Sequence, residues 1–103
     1  MKFRHIYYVY ILQCADGSYY TGMTNSIEKR LDEHVHGLIP SCYTFSRRPV
    51  VLKFCLDFQY VNDAIMKEKQ IKGWSRKKKE ALINGDFEEL IRLAKRRSAG
   101  EGA

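Results

Sequence analysis

IYYVYILQC (residues 6–14), ADG (15–17) and SYYTGM (18–23) form the stretch on which the fold turns. The first segment is β-branched, aromatic and almost continuously apolar, the pattern of a central strand. Ala15-Asp16-Gly17 is a turn signal, and the third segment is the returning strand of a hairpin. Alternation puts Tyr8, Tyr10, Leu12 and Cys14 on one face and Tyr7, Val9 and Ile11 on the other. Turn length then decides where Tyr20 lies. A two-residue Asp16-Gly17 turn pairs Cys14 with Tyr19 and separates Tyr10 from Tyr20 across the sheet. A three-residue loop pairs Cys14 with Ser18, puts both tyrosines on one face and places Gly17 in the left-handed position of a bulge-type turn. Gly22, a glycine inside a strand, suggests close approach of a ligand or another backbone.

Downstream, Ser26 or Asn25 caps a helix reaching about Leu38, with Ile27, Leu31, Val35 and Leu38 on its apolar stripe. Gly37 and Pro40 mark its end. A loop from Pro40 to Pro49 carries Arg47-Arg48. Val50 to Tyr60 reads as a third strand. Asn62 or Asp63 opens a second helix that stops at Gly73. Ser75 caps a third over Arg76–Ile83, closed by Asn84-Gly85, and Asp86 caps a fourth over Phe87–Arg97. Ser98 to Ala103 is small and polar, the composition of a disordered tail. The order β-β-α-β-α-α-α gives an α/β fold, a three-stranded, mostly antiparallel sheet flanked by helices in one domain over residues 1–97.

The bulk properties fit such a chain. Its 103 residues suffice for one core without staples. A net charge of +6 favours a polyanion partner, though charge alone equally describes a basic soluble protein. The three cysteines, Cys14, Cys42 and Cys55, are odd in number and form no C-x-x-C pair, against a disulfide framework or structural zinc. No stretch has the length of a membrane span or the pattern of a signal peptide, so the expected setting is cytoplasmic.

Some residues resist explanation by burial. At about 100° per residue, Asp32, Glu33 and His36 fall on the solvent side of the first helix. Arg30 and His34, one turn apart, lie at the border of its apolar stripe and point toward the sheet. In the second helix Val61, Ala64, Ile65 and Ile71 make the stripe, and Glu68 interrupts it. A buried carboxylate needs an arginine, a lysine or a metal ion. An ion pair, for instance with Arg30, and a Mg²⁺ handle are both open readings. The run Arg76-Lys77-Lys78-Lys79 and the run Lys95-Arg96-Arg97 are solvated helix faces or, together with Arg47-Arg48, a phosphate-contacting surface.

Taken together these residues resemble the GIY-YIG nuclease family, in its small stand-alone form. Tyr8-Val9-Tyr10 stands at the first motif and Tyr20-Thr21-Gly22 at the second. Arg30 and His34 follow at the family's spacing in EKRLDEH, and Glu68 in KEKQIK. Tyr43-Thr44 with Arg47-Arg48-Pro49-Val50, and Ile71 to Arg76, match elements of the small bacterial members. Tyr8, Val9 and Thr21 depart from the motif letters. The resemblance implies a metal-dependent endonuclease acting on nucleic acid, DNA ahead of RNA. It makes Tyr10 the general base, with Tyr20 and His34 in its hydrogen-bonded cluster, and Arg30 the residue that neutralises the scissile phosphate. Glu68 would hold one Mg²⁺ or Mn²⁺ ion. A phenol near pKa ~10 needs cations nearby to serve as a base at neutral pH, and Arg30 and a bound metal ion are the candidates to supply them. Arg47, Arg48, Arg76 and Lys77 are the candidate phosphate contacts. The rival reading is a nucleic-acid-binding module on the same fold without catalysis, for which an inward glutamate has no use.

Overall fold

The computed structural model describes the backbone of residues 5–102 and the side chains of residues 5–95. The chain divides into two compact units, Met1–Lys72 and Gly73–Ala103.

The first unit holds β1 (Tyr7–Gln13), β2 (Tyr19–Thr24), α1 (Ile27–Val35), a 3₁₀ turn (Phe45–Arg47), β3 (Val51–Phe58) and α2 (Val61–Lys72). The strands form one sheet in the order β2-β1-β3, and β1 is antiparallel to both neighbours. The expected central strand is therefore central. The hairpin takes the three-residue loop: Cys14 N–H donates to the Ser18 carbonyl at 2.8 Å, and Gly17 has φ +85°. Tyr10 consequently lies opposite Gly22, and Leu12 opposite Tyr20.

Tyr10, Leu12, Cys14 and Val50 form a buried cluster against which Tyr20, Leu52 and the α1 residues Ile27 and Leu31 pack. Val9 and Ile11, on the other face, are fully buried, and α2, in contact with all three strands, covers them.

Several boundaries differ from the sequence reading. Ser26 is the N-cap residue of α1 but makes no side-chain cap bond; the Thr24 hydroxyl accepts from its N–H instead, at 3.1 Å. The helix ends at Val35, not Leu38. Leu38 N–H bonds the Glu33 carbonyl at 2.9 Å, Gly37 N–H bonds that of His34, and Gly37 takes φ +62°. That closure turns the chain out of the helix, so Val35 and Leu38 are exposed and the buried stripe is shorter than expected. β3 is shorter at both ends than Val50–Tyr60, and α2 begins at Val61, whose side chain is exposed at the first helical position.

The second unit pairs α3 (Arg76–Ile83) with α4 (Phe87–Gly102). Ser75 and Asp86 cap them as expected, accepting from Lys78 N–H at 3.3 Å and Glu89 N–H at 3.1 Å. α4 continues beyond Arg97, because Ser98, Ala99 and Glu101 tolerate a helix and each glycine costs it only about 1 kcal/mol. Ala103, the end of the expected tail, lies outside the described residues, as do the side chains of Arg96 and Arg97. Lys78 departs from a solvated basic face: it is buried, with its ammonium 5.0 Å from the Trp74 ring centroid. Among the described residues no helix is long and apolar enough to cross a membrane.

Candidate active site

The hairpin register puts Tyr10 and Tyr20 on one face, with ring centroids 6.3 Å apart. Gly22 makes this possible. A Cβ built there would overlap the Tyr10 ring and hydroxyl. The close approach expected at this glycine is therefore made by a side chain, rather than by a ligand or another backbone.

α1 brings two residues to the tyrosines. His34 is buried rather than at a border, and its Nε2 lies 2.9 Å from the Tyr10 oxygen. Its Nδ1 lies 2.7 Å from Thr44 Oγ1. Tyr20 stacks obliquely on the same imidazole, at 5.2 Å between centroids. Arg30, one turn earlier, donates toward the Tyr10 oxygen and pairs with Glu33 at 3.3 Å. Glu33 is thus not a solvated residue: its side chain is 22% exposed because it turns back to neutralise the guanidinium. Arg30 Nε is buried and has no hydrogen-bond partner among the described residues.

The electrostatics follow from burial. Burial, then the neighbouring Tyr20, push the Tyr10 phenol far above its ordinary value of 10.0. Arg30 pulls the other way by charge and hydrogen bond and does not offset them. Arg30 thus lowers this phenol as expected, but desolvation is the larger effect and leaves it raised. Burial, then the Arg30 charge, hold His34 below its ordinary 6.5, against an opposing pull from Glu33. The imidazole beside Tyr10 is neutral near pH ~7 and able to accept a proton.

Glu68 sits on α2 close enough for its charge to be felt at Tyr20. Its side chain is 20% exposed and pairs with Lys72 Nζ at 3.4 Å, one turn along the helix. The carboxylate is thus neither fully buried nor paired with Arg30, which has its own partner in Glu33. Among the described residues no three His, Cys, Asp or Glu side chains converge on a point that could hold a metal ion. A single hard carboxylate fits Mg²⁺ or Mn²⁺, which retain most of their waters, and does not fit zinc.

Three residues of the 40–49 loop complete the cluster, though none of them has a role in the site by the sequence reading. Thr44 is fully buried against His34. Cys42 Sγ accepts from the Thr44 hydroxyl at 3.5 Å and from Tyr20. Burial raises this thiol, but those hydrogen bonds and the Arg30 charge outweigh it and leave it below its ordinary value. Tyr43 stacks on Tyr20, with centroids 6.1 Å apart and planes at 17°. The only sequence signal for these residues was the tyrosine–threonine pair of the small-member element, since an aperiodic loop declares no buried face.

The arginines of that loop have internal partners. Arg47 pairs with Asp16 at 3.3 Å, donates to the Tyr43 carbonyl and lies 3.8 Å over the Tyr43 ring. Arg48 donates to the Phe45 carbonyl, and its guanidinium fills the space beside Gly37. Together they pin the loop to the hairpin turn and to the end of α1. Arg76 and Lys77 belong to the second unit; Arg76 pairs with Glu80 at 3.4 Å, and both basic residues are exposed.

Residues 6–81 match the GIY-YIG catalytic domain. A UPF0213 protein of Bacillus pumilus is 44% identical over 80 residues, covering 78% of this chain and 81% of its own. One of Syntrophus aciditrophicus is 45% identical over 83 residues, covering 81% and 95%. The solution NMR structure of a UPF0213 protein from Bacillus halodurans superposes with TM-score 0.52 at 37% identity, covering 85% of this chain and 96% of that one. A solution NMR structure of a protein from E. faecalis gives 0.58 at 35%, covering 84% and 92%.

Proposed function

Because the chain belongs to the GIY-YIG catalytic domain family, we propose that it is a divalent-metal-dependent endonuclease that hydrolyses phosphodiester bonds in nucleic acid, DNA ahead of RNA. The observation that carries this reading is the 2.9 Å contact between the Tyr10 oxygen and His34 Nε2, inside a pocket that also holds Arg30. A buried phenol with a raised pKa cannot lose its proton to water. It can pass that proton to a neutral imidazole while taking one from an attacking water. The water's O–H breaks to Tyr10, the Tyr10 proton moves to His34 Nε2, and the new hydroxide attacks phosphorus as the P–O bond to the leaving oxygen breaks.

Only 1% of Tyr10 is exposed, so water must be admitted before this can occur. Arg30 is the mobile candidate. A phosphate oxygen competing with Glu33 for its guanidinium would draw it aside, and buried Nε offers that oxygen a further donor. Glu68 would hold Mg²⁺ or Mn²⁺, which when bound supplies charge stabilisation at the leaving oxygen. Arg76 and Lys77 are proposed to contact phosphates, and Arg47 and Arg48 to do so only with what their internal bonds leave over.

The Glu68–Lys72 pair favours the alternative of a binding module without catalysis, since it satisfies the carboxylate without a metal. Incubation with single-stranded, duplex and branched DNA and RNA, in Mg²⁺ or Mn²⁺ against EDTA, separates the two. Metal-dependent cleavage by the wild type and none by Tyr10→Phe is the expected result. Salt-sensitive binding of the same substrates without cleavage would leave the binding module.

A further inference from the structure

We infer that Thr44 is a positioning residue that fixes the tautomer of His34 and so sets the direction in which the Tyr10 proton can move. The inference rests on the proposed proton transfer from Tyr10 to His34, and adds a residue that the reaction needs and that never touches substrate.

The argument is one of counting hydrogens. His34 Nδ1 lies 2.7 Å from Thr44 Oγ1, and Thr44 is 1% exposed. A threonine hydroxyl has one hydrogen to give. Cys42 Sγ, at 3.5 Å, is an acceptor for that hydrogen, and the arrangement is self-consistent when Thr44 gives it there. The Thr44 oxygen then has to accept from His34, which puts the imidazole hydrogen on Nδ1 and leaves Nε2 bare. Bare Nε2 accepts the Tyr10 O–H at 2.9 Å. Arg30 lies close enough to lower the Tyr10 phenol. The hydrogens of Tyr10, His34 and Thr44 then each have an acceptor.

The reverse tautomer breaks this order. If Thr44 donated to Nδ1, Nε2 would carry the hydrogen and point it at the Tyr10 oxygen. The Tyr10 hydrogen, buried with its residue, would then have no acceptor among the groups around it, which costs its full desolvation. His34 would also present a donor to Tyr10 where catalysis needs an acceptor. A neutral imidazole held in the wrong tautomer is a poor base however well it is placed. The groups facing His34 are Tyr10 from β1, Tyr20 from β2, Arg30 and Glu33 from its own helix, and Cys42 and Thr44 from the loop. Of these only Thr44 contacts Nδ1 with an oxygen, so it alone offers that N–H a strong acceptor.

The loop is built to hold Thr44 there. Arg47 ties it to Asp16, the Ala15 N–H bonds the Arg47 carbonyl at 2.9 Å, and Arg48 ties it to the end of α1.

The test reads the tautomer directly. In uniformly ¹⁵N-labelled full-length protein near pH ~7.5, long-range ¹H–¹⁵N spectra distinguish a protonated from a bare nitrogen in the imidazole ring. Wild-type His34 is expected with hydrogen on Nδ1. Thr44→Val, which keeps the shape and removes the oxygen, should move the hydrogen to Nε2 and lower metal-dependent cleavage at least about tenfold without raising KM, while Thr44→Ser restores both. Hydrogen on Nε2 in the wild type overturns the inference with no variant required, which covers the case of a Val variant that does not fold. A folded Thr44→Val with the wild-type tautomer and rate overturns it too. A wild type that never cleaves defeats the nuclease reading, while the spectra still decide whether Thr44 sets the tautomer.

Discussion

A carboxylate on a helix can be held by a lysine or can hold a cation, and Glu68 is placed to do either. The Glu68–Lys72 pair is an i,i+4 contact with a half-exposed lysine, worth about 0.5 kcal/mol or less. Glu68→Gln should therefore leave the melting temperature nearly unchanged. If Glu68 holds the metal, the same variant loses at least ~100-fold in cleavage rate. A folded Glu68→Gln that cleaves at the wild-type rate removes the metal role. His34 carries a second prediction. Its pKa is lowered in the fold, so the unfolded chain binds the extra proton first. Stability is thus undiminished above about pH 6.5 and falls as pH drops below it, until the folded pKa is passed. Melting curves from about pH 7.5 to about pH 5 should show this loss, and its slope should flatten in His34→Gln. Tyr10, Arg30 and His34 were legible in the sequence through strand alternation and helical spacing, while the face of Tyr20 hung on a turn length that the sequence left open. Glu33 was misread, since angular position on a helix does not reveal that a long side chain turns back to a partner.

Among elements, the hairpin decides the site and the 40–49 loop finishes it. The sequence left a two-residue and a three-residue turn both open at Asp16-Gly17, and the Cys14–Ser18 bond with Gly17 at φ +85° decides for the longer one. The loop was not readable, because its buried residues follow no period and its two arginines read as surface charge. Gly22 is where the hairpin is least tolerant. Gly22→Ala puts a methyl group into the space of the Tyr10 ring, and overpacking of this kind costs about 1–3 kcal/mol. The ring must shift away from His34, so cleavage should be lost even in the fraction that remains folded. Chemical denaturation and cleavage assays on one preparation measure both effects; wild-type turnover in this variant would mean that the Tyr10–His34 contact is dispensable.

For the whole molecule, class, strand order and antiparallel pairing were legible because the hydrophobic pattern changes cleanly between periods of two and 3.6. The ends of elements were less so: Gly37 was rightly read as an end signal, but the apolar spacing carried α1 on to Leu38 although the closure at Gly37 ends it at Val35. The charge of +6 makes a prediction at this scale. The logarithm of nucleic-acid affinity should fall linearly with the logarithm of salt concentration, and Arg76→Gln or Lys77→Gln should each reduce the slope by about one. Arg47→Gln should mainly lower the melting temperature, because that side chain is engaged by Asp16 and Tyr43. Anisotropy titrations at several KCl concentrations test the slopes; unchanged slopes in both Arg76 and Lys77 variants would leave the basic patch a solvated surface. The string from Tyr10 through His34 to Thr44 has a consequence of another kind. It joins a strand, a helix and a loop across sequence separations of 24 and 10 residues. Helices keep their own local hydrogen bonds when packing loosens, whereas this string survives only in the native arrangement. For the proposed nuclease, turnover should therefore vanish under rising denaturant at or before the loss of helical ellipticity, which would make cleavage a gauge of how much of a preparation is native rather than merely helical.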